Sequence, residues 1–165
     1  LTAEDFSKQL KDRGITAVSA HIGYDVLAKD LPGAIKTAKA LGVKYVVTAW
    51  IPHQGDFTAE QARQAAADFN KWGEAFKAEG IRYGYHPHGY EFVPIASEGG
   101  KTPFDLILEN TKADLVCFEM DVFWVFHAGQ DPEQRRLARA VEPEHDHPGA
   151  AVDRQVHPGE HFQEP

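Results

Sequence analysis

The sequence predicts an α/β protein with about four parallel strands and intervening helices. Three times, a glycine that can end a helix is followed by a β-branched residue and a short apolar run. Because glycine adopts the left-handed turn at little cost, this pattern is typical of the junction between a helix and a parallel strand. The copies are Gly14-Ile15-Thr16-Ala17-Val18, Gly42-Val43-Lys44-Tyr45-Val46-Val47 and Gly80-Ile81-Arg82-Tyr83, and a fourth strand without the glycine runs from Leu115 to about Asp121.

Helix-start signals lie between these strands. Thr58 and Gln61 have capping-box spacing, and they begin a segment that keeps apolar residues at helical period until Gly80. The resulting order is αβαβαβαβ, in which each strand is parallel to the one before it. The other helix starts, each an N-cap residue followed by a proline or an acid, are Thr102-Pro103 with Asp105, Asp30 with Pro32, and Thr2 with Asp5.

Four such units fit either part of an eight-stranded barrel or an open doubly wound sheet. The barrel is favoured because candidate functional groups follow all four strands, whereas an open sheet concentrates its ligand contacts at one crevice. No Gly-x-Gly-x-x-Gly turn follows a strand, and no Walker-type phosphate loop is present. The sequence therefore predicts a partial (β/α)8 TIM barrel over residues 1–132.

Residues 133–165 differ from the rest of the chain in composition. Prolines and histidines are spread there among few large apolar side chains, which are too sparse to bury much surface. We therefore expect a disordered C-terminal tail whose sequence need not be native. A histidine-rich metal-binding tail is the less favoured alternative.

Charge and composition argue against several classes of partner. The chain of 165 residues has a formal net charge of −8 and no basic stripe, so nucleic acid is a poor candidate. No apolar run approaches the roughly 18 residues that a membrane span needs.

The single cysteine, Cys117, falls inside a predicted strand, where a structural thiol is favoured over a nucleophile. These features predict a cytoplasmic protein, and a sequence that starts at Leu1 leaves an upstream targeting signal open.

Acidic residues follow the fourth predicted strand. In an extended strand, Cys117, Glu119 and Asp121 share one face, which would point into the barrel. A carboxylate there is costly unless a cation or a donor compensates it, so two acids on one face suggest a charged partner. We predict that Asp121 is a metal ligand. For Glu119, support of a ligand and ordinary structural pairing are equally open.

Two histidines and a glutamate follow the third predicted strand. His86 and His88 share a face, and Gly89 allows a turn that brings Glu91 back over the barrel mouth. Imidazole nitrogens and carboxylate oxygens from neighbouring strands can converge on one divalent cation, because adjacent strands lie only about 5 Å apart. This cluster therefore predicts a site for a metal or for substrate hydroxyls.

The first two strands end in further candidate residues. His21 ends the first strand and Trp50 ends the second, so both would line the same mouth. A tryptophan in that position commonly forms an apolar wall for a sugar ring, and core packing is an equally open role for it.

Three segments of the sequence resemble a known family. They are Tyr85-His86-Pro87-His88-Gly89-Tyr90-Glu91-Phe92, Phe118-Glu119-Met120-Asp121-Val122-Phe123-Trp124 and Ala128-Gly129-Gln130-Asp131-Pro132. The pattern is similar to that of the sugar phosphate isomerase/epimerase family of xylose-isomerase-like TIM barrels, over roughly residues 1–132. The resemblance implies a divalent cation, manganese, magnesium or cobalt, held by side chains of successive strands. By motif, Glu91 and Asp121 correspond to metal ligands, and His21, Trp50, His86 and His88 correspond to substrate-binding residues.

The resemblance also implies a reaction. The family suggests an isomerase or epimerase that acts on a sugar, a sugar phosphate or a cyclitol. The cation would hold adjacent carbonyl and hydroxyl oxygens and stabilise an enediolate, while a carboxylate moves the proton between two carbons. Glu91 is the residue that the resemblance suggests as the catalytic proton carrier.

The sequence departs from the family pattern after Pro132. The expected His-x-Lys-Asp strand and the glutamate of the final strand do not follow it, and the early strands before Leu1 are missing too. We therefore expect a truncated member with about four of eight strands, and an inactive fragment when this chain is alone. Two exposed sheet edges favour self-association into a homo-oligomer.

Two other function classes stay open at this point. The first is a non-catalytic sugar-binding or assembly module whose incomplete barrel is completed by a partner. The second is a metal-dependent apurinic endonuclease-like hydrolase, which would share the barrel and its histidines and acids. The basic DNA groove of such an enzyme is not visible in the sequence, so it ranks below the isomerase.

Overall fold

The computed structural model describes residues 2–131, in which helices and strands alternate. The predicted tail over residues 133–165 lies outside the described residues. The strands are β1 (Ser19–His21), β2 (Tyr45–Thr48), β3 (Arg82–Tyr85) and β4 (Val116–Phe118). The helices are α1 (Ala3–Asp12), α2 (Tyr24–Lys29), α3 (Leu31–Leu41), α4 (Ala59–Ala78), α5 (Pro103–Asn110) and α6 (Val122–His127), and 3-10 turns lie at Tyr90–Phe92 and Ala96–Glu98.

The four strands form one parallel sheet in the order β1-β2-β3-β4. Each strand pairs with the next one along the chain, with Ala20 opposite Val46, Val46 opposite Tyr83, and Tyr83 opposite Val116. The predicted parallel architecture with intervening helices is confirmed. All carboxyl ends of the strands consequently lie at the same edge of the sheet.

Three helices begin with a threonine whose side chain and backbone form a complete capping box. In each, the threonine oxygen accepts a hydrogen bond from the third helical amide, and that residue's side chain accepts one from the threonine amide. These N-caps are the ones that the sequence predicts. The pairs are Thr2 with Asp5, Thr58 with Gln61, and Thr102 with Asp105.

The ends of β4 differ from the prediction, since the strand covers Val116–Phe118 rather than Leu115 to about Asp121, and two further differences concern β1 and α2. β1 begins at Ser19 rather than next to Gly14, and the apolar residues Ile15 and Val18 before it are exposed. Gly14, in the left-handed region, ends α1 as predicted. The residues that follow it have no strand to pair with before Ser19, where the pairing with β2 begins. The second difference is α2, a short helix that the sequence did not predict.

The core lies between the sheet and the long helix α4. The helical period of this segment predicts its buried face correctly. The positions that it marks are all buried, namely Ala62, Ala65, Ala66, Phe69, Trp72, Gly73 and Phe76. Phe69, Trp72 and Phe76 of α4 pack against Tyr83 of β3, with ring centroids 5.6, 5.8 and 6.1 Å away. The aromatic packing of α4 against Tyr83 holds β3 rigidly behind the residues that follow it.

Among the described residues, no helix combines the length and apolar character that crossing a bilayer requires.

Gly73 brings α4 into close contact with the chain that enters β4. A Cβ atom at this position would lie 2.5 Å from the carbonyl oxygen of Leu115, which is backbone and cannot turn aside. Gly73→Ala is therefore expected to lower the free energy of unfolding by about 2 kcal/mol, because overpacking outweighs the gain in helix propensity. Urea unfolding followed by circular dichroism measures the change. Glu74→Ala, at the exposed neighbouring position, is the control and should stay within about 0.5 kcal/mol of the wild type.

Candidate functional site

Side chains from three strands meet at the carboxyl edge of the sheet. His21 ends β1, while His86 and Glu119 directly follow β3 and β4. His21 Nε2 lies 2.8 Å from Glu119 Oε2, and His86 Nδ1 lies 3.1 Å from the same oxygen. Since β1 and β4 would be about 14 Å apart in a flat sheet, this contact requires the sheet to curl around its concave face. The three side chains lie on the inside of that curve.

The backbone fixes two members of this group, which we call the histidine–glutamate cluster (His21, His86 and Glu119). The His86 amide donates to the Thr48 carbonyl, and the Glu119 amide donates to the Tyr85 carbonyl, each at 2.9 Å. The His86 side chain is 10% exposed, whereas those of His21 and Glu119 are 50% and 41% exposed. The cluster therefore has a buried floor and an open side from which a ligand can approach.

The donor atoms of the cluster fit a divalent cation. His21, His86 and Glu119 each offer one ligand atom, and these atoms all lie within 4.8 Å of one another. Two imidazoles with one carboxylate form a ligand set that zinc and other transition metals accept. Because a single carboxylate oxygen faces both rings, the cluster is already arranged around one point.

Glu91 has a different environment from the one that the sequence predicts. Its side chain is fully buried, and its carboxylate accepts hydrogen bonds from the Tyr85 hydroxyl and from the His88 and Gly89 amides, the last at 2.8 Å. Burial and the neighbouring Glu91 carboxylate raise the pKa of Tyr85, so its hydroxyl stays protonated and donates. Gly89 has a φ of +118°, which permits the turn. Glu91 thus holds together the loop that carries His86 and His88.

Asp121 also forms local hydrogen bonds. Its Oδ1 accepts from the Phe123 amide at 2.9 Å and from the Trp124 amide at 3.3 Å, so it is the N-cap of α6. β4 ends at Phe118, and the strand alternation that predicts a shared face for Glu119 and Asp121 therefore does not extend to Asp121. Neither Glu91 nor Asp121 belongs to the three-residue cluster. The assignment of both as metal ligands stays a prediction.

His88 lies between the cluster and two tryptophans. Its ring centroid is 4.7 Å from that of His86, 5.2 Å from Trp124 and 6.0 Å from Trp50. Burial, together with the nearby His86, lowers the pKa of His88. Its Nδ1 is buried and has no hydrogen-bond partner among the described residues. The wall beside the cluster therefore contains a buried polar atom, His88 Nδ1, whose hydrogen-bonding capacity is not satisfied by the described residues.

Trp50 extends an aromatic wall along the mouth. Half of the residue is exposed. Its ring stacks on His53 at 5.0 Å and meets Tyr90 edge-on at 4.7 Å. The sequence reasoning missed His53, Tyr85 and Tyr90 as parts of the site, although His53 follows β2 as Trp50 does and could have been found by its position.

Comparison with known proteins supports the fold. No family model matches the chain, and no curated protein matches it either. A sugar phosphate isomerase/epimerase from Parabacteroides distasonis is 28% identical with a TM-score of 0.69, and the match covers 84% of this chain and 54% of that one. The IolI protein with a bound zinc atom is 15% identical with a TM-score of 0.59, over 79% of this chain and 50% of that one.

A third solved structure has the same fold. It is a family 2 AP endonuclease from Brucella melitensis, 13% identical with a TM-score of 0.53, and the match covers 74% of this chain and 54% of that one. The predicted partial barrel is thereby confirmed, and the chain spans about half the length of the structures that it matches. The chain is thus a structural relative of the sugar phosphate isomerase/epimerase and xylose-isomerase-like TIM barrel proteins.

Proposed function

We propose that the histidine–glutamate cluster is a divalent-metal site and that it serves an isomerase or epimerase acting on a sugar, a sugar phosphate or a cyclitol. One observation carries the proposal: donor atoms of His21, His86 and Glu119 lie within 4.8 Å of one another. They do so at the carboxyl ends of the strands, where barrel enzymes hold their chemistry. The similarity to sugar phosphate isomerase/epimerase structures supports the reaction class.

The ligand chemistry narrows the choice of cation. Imidazole nitrogens suit zinc and cobalt, whereas magnesium prefers oxygen ligands. Of the cations implied by the family resemblance, cobalt therefore fits the cluster better than magnesium or manganese does, and zinc fits it as well. A bound cation would supply a Lewis acid that stabilises negative charge developing on a substrate oxygen.

The remaining residues of the mouth have positioning roles in this proposal. The exposed face of Trp50 offers an apolar platform for a sugar ring beside the cluster. Glu91 keeps the loop from residue 86 to residue 91 in place, and we propose this role in preference to proton transfer. The reason is that the Tyr85 hydroxyl and two backbone amides already bind its carboxylate.

Two alternatives predict different behaviour. A sugar-binding module would bind the same ligands without moving a proton. An endonuclease-like hydrolase would need to attract DNA phosphates, and a net charge of −8 opposes that attraction. The similarity to the Brucella melitensis structure, at 13% identity, concerns the fold alone.

Zinc binding tests the metal site. Glu119→Gln is expected to weaken the binding of one equivalent of zinc about tenfold, because a neutral amide replaces the charged ligand. Equilibrium dialysis of the full chain measures both affinity and stoichiometry. Glu109→Gln, an exposed glutamate that pairs with Lys101 on the outer surface, is the matched control. Histidines after residue 140 are present in every variant, so a difference belongs to the cluster. Equal zinc binding by wild type and Glu119→Gln would refute the site.

Solvent exchange tests the reaction separately. In the presence of the zinc-loaded chain, a ketose or ketose phosphate is expected to take up deuterium slowly from D2O at the carbon next to its carbonyl group. Full turnover should be poor, since His21 and Glu119 are half exposed and water is not excluded from the mouth. Absence of exchange above the metal-free rate across a panel of ketoses would reject proton transfer by this chain, as expected for an inactive fragment or a sugar-binding module, while leaving the zinc result standing.

A further inference from the structure

The side chain of His88 has incomplete hydrogen bonding inside the protein. Within residues 2–131, its Nδ1 is buried and has no hydrogen-bond partner. A buried polar atom without a partner is costly, so folded proteins rarely retain one unless it binds an ion, a ligand or a water molecule. The surroundings of the His88 ring indicate which of these it binds.

The second ring nitrogen of His88 settles where the proton lies. Burial and the nearby His86 lower the pKa of His88, and a hydrogen bond with the backbone of Ala49 acts in the opposite direction. Because Nδ1 has no partner, the nitrogen that bonds to Ala49 is Nε2. A hydrogen bond that raises the pKa of a histidine is one in which the ring donates, so Nε2 carries the proton. In the neutral ring Nδ1 is then left with a free lone pair.

This arrangement is typical of a histidine that binds a metal. Such a histidine uses the lone pair of one nitrogen for the cation and donates its other N–H to a carboxylate or a backbone carbonyl, which fixes the tautomer of the ring. His88 has both features, with Nε2 bonded to the Ala49 backbone and Nδ1 free. Its ring is therefore prepared to bind a cation through Nδ1.

The spacing of the histidine rings fits a shared cation. Two imidazoles bound to one tetrahedral zinc ion place their ring centroids about 5 Å apart. The centroid of His86 lies 4.7 Å from that of His88 and 5.5 Å from that of His21. His86 thus has two imidazole neighbours near the spacing that a common ion requires.

The backbone of His88 is already held in place. Its amide donates to both carboxylate oxygens of Glu91 at 3.2 Å. The His88 ring lies outside the histidine–glutamate cluster, whose donor atoms are within 4.8 Å of one another. Binding of a cation therefore requires the side chain of His88 to turn toward the cluster while its backbone stays fixed.

We propose that His88 Nδ1 is a further ligand of the cation that the histidine–glutamate cluster binds. This role rests on the proposed metal site and adds a third imidazole to it. Three imidazoles and one carboxylate form a set of four ligands that suits zinc or cobalt. The sequence interpretation gives His88 to the substrate, but its Nδ1 is buried, whereas the open side of the cluster lies at His21 and Glu119.

Cobalt(II) tests this ligand, because its visible absorption changes with the number and geometry of its ligands. Titration of the full chain with cobalt chloride gives the affinity and the absorption from the same sample. His88→Gln is expected to weaken cobalt binding about tenfold and to alter the absorption, since one imidazole is lost. The glutamine amide can still donate to the backbone of Ala49, and circular dichroism checks that the variant is folded. His88→Ala, measured in the same way, decides the question if His88→Gln does not fold.

His53→Gln is the matched control. His53 Nδ1 lies 2.8 Å from the Ile51 carbonyl oxygen, so one nitrogen of this ring is also held by the backbone, but the ring stacks on Trp50 and lies outside the cluster. This variant should bind cobalt like the wild type.

Two results would overturn the role of His88, and they differ in what they leave standing. If His88→Gln keeps the affinity and the absorption of the wild type while Glu119→Gln weakens cobalt binding, His88 is not a ligand and the metal site stands. If neither substitution changes cobalt binding, the proposed metal site fails together with the role of His88.

Discussion

Replacing His86 by alanine is expected to weaken zinc binding by about 100-fold or more. His86 is the buried member of the histidine–glutamate cluster, with its Nδ1 3.1 Å from Glu119 Oε2. Its removal leaves His21 and Glu119, which are half exposed and free to move into solvent. Two ligands that must be ordered on binding hold a cation far more weakly than three that are already placed. Competition with a chromophoric chelator measures the affinity.

Two controls make this result specific. His127→Ala removes an exposed histidine of α6 that lies outside the cluster, and it should leave zinc affinity unchanged. Asp121→Asn distinguishes the two proposed ligand sets, since Asp121 is a ligand in the sequence interpretation and the N-cap of α6 in the structure. If Asp121→Asn abolished zinc binding and His86→Ala did not, the cluster would be the wrong site.

The fold could be predicted because its signals are local. A glycine after a helix, a threonine with an acid or glutamine three residues later, and apolar residues at helical period each act within a few positions along the chain. Thr58 with Gln61 and the buried face of α4 follow the prediction closely. The boundaries of β1 and β4 do not, since pairing with a neighbouring strand sets where a strand begins and ends, and that information is not local.

The grouping of the site residues could be predicted only in part. His21, His86 and Glu119 are all candidates from the sequence, but their convergence depends on the curl of the sheet, which brings the ends of β1 and β4 together. Strand alternation placed Glu119 and Asp121 on one face. Asp121 does not follow this alternation, because its carboxylate accepts a hydrogen bond from the Phe123 amide at the N-terminus of α6. Local capping thus overrode the strand alternation at Asp121, two residues after Glu119.

Glu91→Gln is expected to lower the free energy of unfolding by about 3 kcal/mol. The Glu91 carboxylate is fully buried and accepts hydrogen bonds from the Tyr85 hydroxyl and from the backbone amides of His88 and Gly89. A glutamine amide has one acceptor oxygen and turns an NH2 group toward donors that need an acceptor. At least one buried donor is then left unsatisfied, and the charge that strengthens the remaining bonds is lost. Urea unfolding followed by circular dichroism measures the loss.

The control for this prediction is a glutamate in a weak surface pair. Glu98→Gln breaks the exposed ion pair with Arg63 and should cost less than about 1 kcal/mol. A double-mutant cycle with Tyr85→Phe should show coupling of about 1 kcal/mol or more, because Tyr85 and Glu91 are in direct contact. If Glu91→Gln unfolded like the wild type and instead lost its bound zinc, Glu91 would be a metal ligand rather than the anchor of its loop. Stability and zinc affinity therefore have to be measured on the same protein, since the anchor role requires a loss of stability and the ligand role does not.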